Sequence, residues 1–365
     1  MINATLDLIT FLQSNFSMLF ALALYAILAV VLSKSIKKHY KVYYWVFGLL
    51  CAGFVIPVIA RLCGFSLPFS FGKIPFFGLC ISELSSAANF VHPVLIIIMY
   101  MGAFSPKNQY VGRLMSIRKE LSIIVGFPVI AHAMKRLFGS FVQGWQFFFD
   151  NETYMQSPRV SSALGSGISS FVYVLGLVMF VLFLVLWITS FDSVHKALGA
   201  KRWKAVQKWS YGLYAMLFIH AMGLNLGGYI SDVARAEQQA QQIARVEVVE
   251  QHESRGERPQ QQSGEQRPQG AQQGQQQGQA HGQQQGQQPQ QAHGQQQGQQ
   301  QGQAQQGGHG HGPQAFKFSD ISINRTNKRL VNMAILVLIY GSYLYFRLRK
   351  ARQDRAKKSA AANRI

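Results

Sequence analysis

Apolar segments long enough to cross a lipid bilayer restrict the fold of this chain more than any other feature of its sequence. Seven such segments follow one another, separated by polar or basic stretches. A crossing helix needs about 20 apolar residues, so a series of this kind excludes an ordinary water-soluble domain. Because backbone groups in lipid must satisfy their hydrogen bonds internally, the pattern predicts an all-α membrane protein with a bundle of about seven transmembrane helices.

The predicted crossings divide the chain into four regions. Their approximate limits are 16–31, 43–60, 83–104, 121–141, 168–188, a sixth segment that ends near 228, and 330–346. The regions are 1–82, with two crossings and an interfacial or re-entrant segment, 83–231, with a bundle of four crossings, 232–320, a polar loop, and 321–365, with the last crossing and a basic tail.

The basic residues indicate an orientation in the membrane. The formal net charge is +20, but Lys and Arg cluster after the first, third, fifth and seventh crossings. By the positive-inside rule this distribution predicts an outer N-terminus and a cytoplasmic C-terminus in a plasma membrane protein. The same distribution argues against a nucleic-acid partner. No basic stretch precedes the first apolar run, so we do not expect a cleaved signal peptide.

The long segment between the sixth and seventh crossings consists mainly of Gln, Gly and His. From about residue 236 to 315 it has almost no apolar side chains to bury, so we predict a disordered loop on the outer side of the membrane. Its histidines include His281, His293, His309 and His311. They are either weak metal ligands or parts of a solvated spacer, since no Cys or carboxylate partners accompany them.

Two histidines inside apolar segments are the leading candidates for a functional site. His132 lies thirteen residues after Lys119, and His220 lies thirteen residues after Gln207. At 1.5 Å per residue both imidazoles are expected about 20 Å from the cytoplasmic end of their helices. Ionisable residues at that depth are costly and usually functional, and imidazole is a ligand of haem iron. The pair is therefore predicted to bind a haem b axially.

Three further residues near this pair have alternative roles. Lys135 and Arg136 follow His132 by about one turn, where they would either pair with haem propionates or extend to the membrane interface. His92, in the third predicted crossing, is expected at a similar depth. It would replace one axial ligand, line a quinone site, or cap a helix kinked at Pro93.

Residues around both histidines carry a family resemblance. They are Thr189, Ser190, Lys196, Ala197, Leu198, Gly199, Trp203, Gln207, Tyr211, Ile219 and His220, together with the stretch IRKELSIIVGFPVIAH that ends at His132. Their order and spacing resemble the ferric reductase-like transmembrane domain, with the nearest likeness to the haem-binding membrane subunit of the periplasmic methionine sulfoxide reductase system. The likeness covers about residues 89–230, so the first two crossings would be additions.

The resemblance implies a haem-dependent electron-transfer subunit with His132 and His220 as iron ligands. Where the family has another histidine this chain has Gln207, and Lys119 lies at the same depth, so we expect one haem rather than two. No GxGxxG stretch for a nicotinamide or flavin domain follows the last crossing. Electrons are expected from a partner redox protein or a membrane quinol, with quinone or FMN as further cofactors.

Two other classes of function remain open at this point. The chain would otherwise be a haem-free membrane scaffold that uses its Gln-rich loop to bind partners. A further alternative is a metal-handling membrane protein that uses the histidines of that loop. A Soret band would favour the haem protein over the scaffold.

Overall fold

The computed structural model describes residues 2–65, 73–84, 87–105, 107–157, 160–254 and 323–362. The longer regular elements within these ranges are α-helices. They are α1 (Ile2–Asn15), α2 (Ser17–Val31), α3 (Ser33–Lys38), α4 (Tyr40–Leu62), α5 (Pro75–Leu84), α6 (His92–Met101), α7 (Gln109–Ser116), α8 (Arg118–Arg136), α9 (Val142–Phe149), α10 (Asn151–Met155), α11 (Ala163–Ile188), α12 (Asp192–Gln207), α13 (Ser210–Ser254) and α14 (Arg325–Ala362). Two π-helical segments, Ala87–Val91 and Leu137–Phe141, precede α6 and α9.

Four of the described helices are long and apolar enough to cross a membrane. They are α4, α11, α13 and α14, and a fifth crossing results if α1 and α2 form one span, although they meet at an angle of 113°. Large apolar side chains along these helices are exposed in the isolated chain, as expected of surfaces that contact lipid. The prediction of an all-α membrane protein agrees with this architecture.

The third and fourth predicted crossings differ from the other segments. The third is a helical segment of 15 residues, Ala87–Met101, about 22 Å long and therefore shorter than the bilayer core. The fourth, α8, carries charged residues at both ends and changes into a π-helical turn at Leu137. The structure thus supports four or five crossings by length and composition, and the predicted number of seven is not confirmed.

The helix α13 corrects the predicted limit of the polar loop. It continues without a break to Ser254, so residues 236–254 are helical although they were predicted to be disordered. Ala, Gln and Glu are good helix formers, and an amphipathic pattern is not required when a helix extends from a stable one. The last described residues of this helix, 245–254, belong to a unit separate from the rest of the described chain. The rest of the predicted disordered loop, and residues 66–72 of the predicted interfacial segment, lie outside the described residues.

The short helix α6 lies at the centre of the core. Nine of its ten residues are buried, and seven of these pack in one cluster with apolar residues of α2, α8, α11, α13 and α14. Polar contacts fix α14 along α6: Nε2 of His92 is 2.9 Å from the Tyr340 hydroxyl, and the hydroxyls of Tyr100 and Ser342 are 2.6 Å apart. Near the end of α6, Lys350 donates to the carbonyl oxygen of Gly102.

Small residues bring α11 and α13 unusually close together. A Cβ atom added at Gly227 would lie 2.7 Å from the carbonyl oxygen of Gly165, and one added at Gly165 would lie equally close to the carbonyl oxygen of Gly227. One turn further, a Cβ at Gly223 would lie 2.4 Å from Cγ1 of Val172. Close backbone approach at small residues is a common way for membrane helices to associate. This contact sets the position of the part of α13 that carries His220.

Candidate functional site

A single cavity brings together all four residues predicted to form the site. It has a volume of about 680 Å³, and its lining includes His132, His220, Lys135, Arg136 and also His92. Much of the remaining lining is apolar, including Leu95, Val129, Leu177, Phe180, Phe183 and Leu217. A cavity of this size with an apolar wall and a few polar groups is typical of a site for a cofactor or other small molecule.

The hydrogen bond of His220 determines which ring nitrogen faces outward. Its Nδ1 lies 2.7 Å from the carbonyl oxygen of Val172 in α11. A carbonyl oxygen can only accept, so Nδ1 carries the proton and the neutral ring has its lone pair on Nε2. Metal-binding histidines usually donate their second ring N–H to a carbonyl or carboxylate in this way. His220 therefore has the tautomer and the fixed ring that a metal ligand needs.

Gly176 leaves the space that the His220 ring occupies. A Cβ atom at this position would lie 3.1 Å from Cε1 and 3.5 Å from Nδ1 of the ring. A side chain at this position would therefore require the imidazole to shift by a few tenths of an ångström. Neither Gly176 nor Val172 was predicted as part of the site. A glycine four residues after Val172 in an otherwise apolar helix was the available sequence signal.

His132 reaches the same cavity from α8, but not by the predicted geometry. The equal depth of the two histidines was measured from Lys119 and Gln207, yet Gln207 is the last residue of α12 and α13 begins only at Ser210. His132 is 14 residues from the start of α8, about 21 Å, whereas His220 is 10 residues from the start of α13, about 15 Å. Counted from the helix starts, the two distances therefore differ by about 6 Å, although both side chains line one cavity.

Lys135 and Arg136 form the charged part of the cavity lining. Both are exposed at the end of α8, where the helix changes into its π-helical turn. Arg136 lines the same cavity as His220. Two cationic side chains beside an apolar cavity are suited to the carboxylates of an amphiphilic ligand.

His92 is buried and already engaged. It is 7% exposed, and its Nε2 shares a hydrogen bond with the hydroxyl of Tyr340. If His92 were an iron ligand through Nε2, this contact with α14 would have to break. Tyr340 was not predicted near the site, because 248 residues separate it from His92 and no local pattern connects them.

The residues considered for a second, inner haem site are occupied by other contacts. Nζ of Lys119 lies 2.9 Å from a carboxylate oxygen of Asp192, and the Gln207 amide donates to Oγ1 of Thr189 at 2.9 Å. Trp203 also donates to the carbonyl oxygen of Thr189. The contacts of Trp203 and Gln207 with Thr189 therefore hold the end of α11 and α12 together. The turn of α12 is possible because Gly199 adopts a φ of +71°, which favours glycine.

The ion pair between Lys119 and Asp192 gives a small pH dependence of stability. The hydrogen bond from Lys119 holds the pKa of the Asp192 carboxyl below its usual value. The contribution of this ion pair to the free energy of unfolding is therefore complete above the unfolded pKa of about 3.9. It is lost as the pH falls through the lower pKa of the folded state. Because Asp192 is 66% exposed, we expect Asp192→Asn to cost less than about 1 kcal/mol at pH 7 and nothing at low pH. Unfolding midpoints of both proteins at the two pH values test this, and an equal loss at low pH would contradict it.

No purely protein-bound metal centre is present in the described part of the chain. Within it, no three His, Cys, Asp or Glu side chains cluster closely enough to hold a metal ion. An axial haem site differs from such a centre because the porphyrin supplies four of the iron ligands, and one or two histidines suffice. The histidines of the Gln-rich loop lie outside the described residues.

Fold and cavity together define an all-α membrane protein with an internal histidine-lined site. The comparisons with known proteins add one similarity. An uncharacterized protein of Treponema pallidum (strain Nichols) is 25% identical over 223 residues, which cover 60% of this chain and 55% of that protein. The chain thus spans about half the length of this relative. No family model and no solved structure matches the chain, so the resemblance to ferric reductase-like domains stays a prediction.

Proposed function

We propose that this chain is a membrane electron-transfer subunit that holds one haem b between His132 and His220. The observation that carries the proposal is the state of His220, whose Nδ1–H is used by the Val172 carbonyl while its ring lines the same cavity as His132. Such a ring presents a basic Nε2 in a fixed direction. When bound there, a haem b would supply one-electron transfer between ferric and ferrous iron.

The residues of the chain would bind and orient this group. His132 and His220 would approach the iron from α8 and α13, and the apolar wall of the cavity would exclude water from the ring. Lys135 and Arg136 would pair with the propionates at the open side of the cavity. His92 would stay a hydrogen-bond partner of Tyr340 and line the cavity without binding iron.

The haem content of the purified protein tests this proposal directly. We expect a Soret band, a reduced-minus-oxidised difference spectrum typical of haem b, and a pyridine haemochrome ratio of about one haem per chain, because Lys119 and Gln207 are engaged elsewhere. A ratio near two would contradict the single site. A colourless protein from haem-replete cells would reject the electron-transfer function and favour a scaffold.

The proposed topology places the N-terminus and the Gln-rich loop outside and the C-terminus in the cytoplasm of a plasma membrane. Cys51, Cys63 and Cys80 are free thiols, so a cysteine-free background is required. In that background, we expect an impermeant maleimide added to intact cells to label Ser263→Cys in the loop but not Ser359→Cys at the end of α14. The control is labelling of Ser359→Cys after the cells are opened. Labelling in the reverse order would contradict the topology.

The electron donor is proposed from the surroundings of the cavity. The cavity lies within the helix bundle and has a largely apolar wall, which suits a lipid-soluble donor. We therefore propose a membrane quinol, or a partner redox protein with its own flavin, as the donor and an acceptor on the outer side. Reduction of the haem by a quinol analogue in membranes would separate these two donors.

A further inference from the structure

A second cleft lies apart from the histidine-lined cavity, where the apolar helix α2 ends. It has a volume of about 330 Å³ and is lined by Ser33, Lys34, Lys37, Lys38, Arg113 and Ser116. The first four of these residues belong to α3, which follows α2 after Leu32, and the other two belong to α7. Because α7 packs against both α2 and α3, two distant parts of the sequence form one basic cleft.

The charges of this cleft are only partly compensated. Nζ of Lys37 lies 3.1 Å from a carboxylate oxygen of Glu120, a residue that is 3% exposed, and donates to the carbonyl oxygen of Ser116. Lys34, Lys38 and Arg113 are exposed, and no described carboxylate lies within salt-bridge distance of them. The cleft therefore has an excess of three positive charges around a small concave volume.

Exposed apolar residues flank the basic segment of the cleft on both sides in the sequence. Ile27 and Val31, one turn apart on α2, are 62% and 69% exposed, and Trp45 near the start of α4 is 70% exposed. The cleft thus follows the apolar end of one helix and precedes the apolar start of another. In a bilayer this is the depth at which lipid phosphates lie, and tryptophan is enriched at the same level.

We propose that this basic cleft binds the phosphate of an anionic phospholipid, whose acyl chains lie along the exposed face of α2. Basic pockets between membrane helices are suited to such headgroups, and charge-assisted hydrogen bonds from Lys and Arg to phosphate are strong. The adjoining apolar surface favours a lipid over free phosphate as the ligand. This proposal depends on the position of α2 in the membrane and not on haem binding.

Native mass spectrometry of the full chain with equal amounts of phosphatidylglycerol and phosphatidylcholine tests the proposal. The variant K34Q/K38Q/R113Q removes the three uncompensated charges. The matched control K201Q/R202Q/K204Q removes the same charge from exposed positions of α12. We expect the wild type and the control to retain phosphatidylglycerol preferentially. The cleft variant should bind it more than about tenfold more weakly, because each basic contact is worth roughly fivefold in affinity.

Two further measurements separate the remaining explanations. The charge-preserving variant K34R/K38R/R113K should keep the lipid, which distinguishes lost contacts from misfolding. A large excess of inorganic phosphate should leave the bound lipid in place. Displacement by phosphate alone, an equal loss in the α12 control, or equal binding of both lipids would each overturn the proposal.

Discussion

Replacing His220 by alanine is expected to abolish haem retention. The substitution removes an imidazole whose Nδ1–H is fixed by the backbone carbonyl of Val172 and leaves a space beside Gly176. Loss of a partner outside the coordination sphere already costs roughly 10–100-fold in metal affinity, so loss of a ligand should weaken haem affinity by more than that and lower the Soret-to-protein ratio. His132→Ala should have the same result. Spectra of purified proteins at equal concentration provide the measurement.

Two controls make this test specific to the cavity. His195 packs against Trp203 in α12 and is not part of the cavity lining, so His195→Ala should retain full haem. His92→Ala should retain most of it, because this ring is bonded to Tyr340. Free imidazole added to the His220→Ala protein should restore part of the Soret band. Full haem occupancy in His220→Ala would remove this residue from the site.

Replacing Gly227 by alanine should destabilise the protein and weaken the site together. The new Cβ would lie 2.7 Å from the carbonyl oxygen of Gly165 and 3.1 Å from the amide nitrogen of Ser169, so α11 and α13 would have to separate. Overpacking of this kind costs about 1–3 kcal/mol. Because His220 lies two turns away and hydrogen-bonds to α11, its contact with Val172 should lengthen as the helices part. The two measurements are the unfolding midpoint in a titration with a denaturing detergent and the haem content of the purified protein.

Gly212 offers a matched control in the same helix. No described atom outside its local backbone lies within 4 Å of a Cβ built there. Gly212→Ala has the same gain in helix propensity, up to about 1 kcal/mol, without the clash, so it should be neutral or stabilising. Equal stability of the two variants would mean that the close contact between α11 and α13 does not exist in the membrane.

The sequence predicted the composition of the site better than its geometry. His132 and His220 could be predicted because they are ionisable residues within apolar segments. Such residues are costly inside a membrane and usually have a function. Their position relative to the helix starts could not be predicted, since the break between Gln207 and Ser210 depends on the contacts of Thr189, Trp203 and α12.

Helix limits were predicted closely for α4 and α11, whose apolar segments have the length that a bilayer crossing requires. The helix α14 includes the predicted crossing at 330–346 but continues to Ala362, because its basic end is helical as well. The helix α6 is also apolar, but it is short and is enclosed by protein. Hydropathy did not reveal this difference, because it does not show whether an apolar helix is surrounded by lipid or by protein. Leu336 of α14 lines the cavity, and Tyr340 of the same helix bonds to His92 beside it. These contacts join residues more than 200 positions apart, so no local sequence pattern predicts them.

The position of α14 has a consequence for the order of assembly. Asn332 and Leu336 form part of the cavity wall, yet α14 begins 70 residues after α13 ends. At roughly 5–20 residues per second, synthesis of that interval takes about 4–14 s, during which the other walls exist without this one. Until α14 packs against α6, the side of the cavity that Asn332 and Leu336 line is open. Under the proposed function, haem would enter through that side before α14 completes the wall.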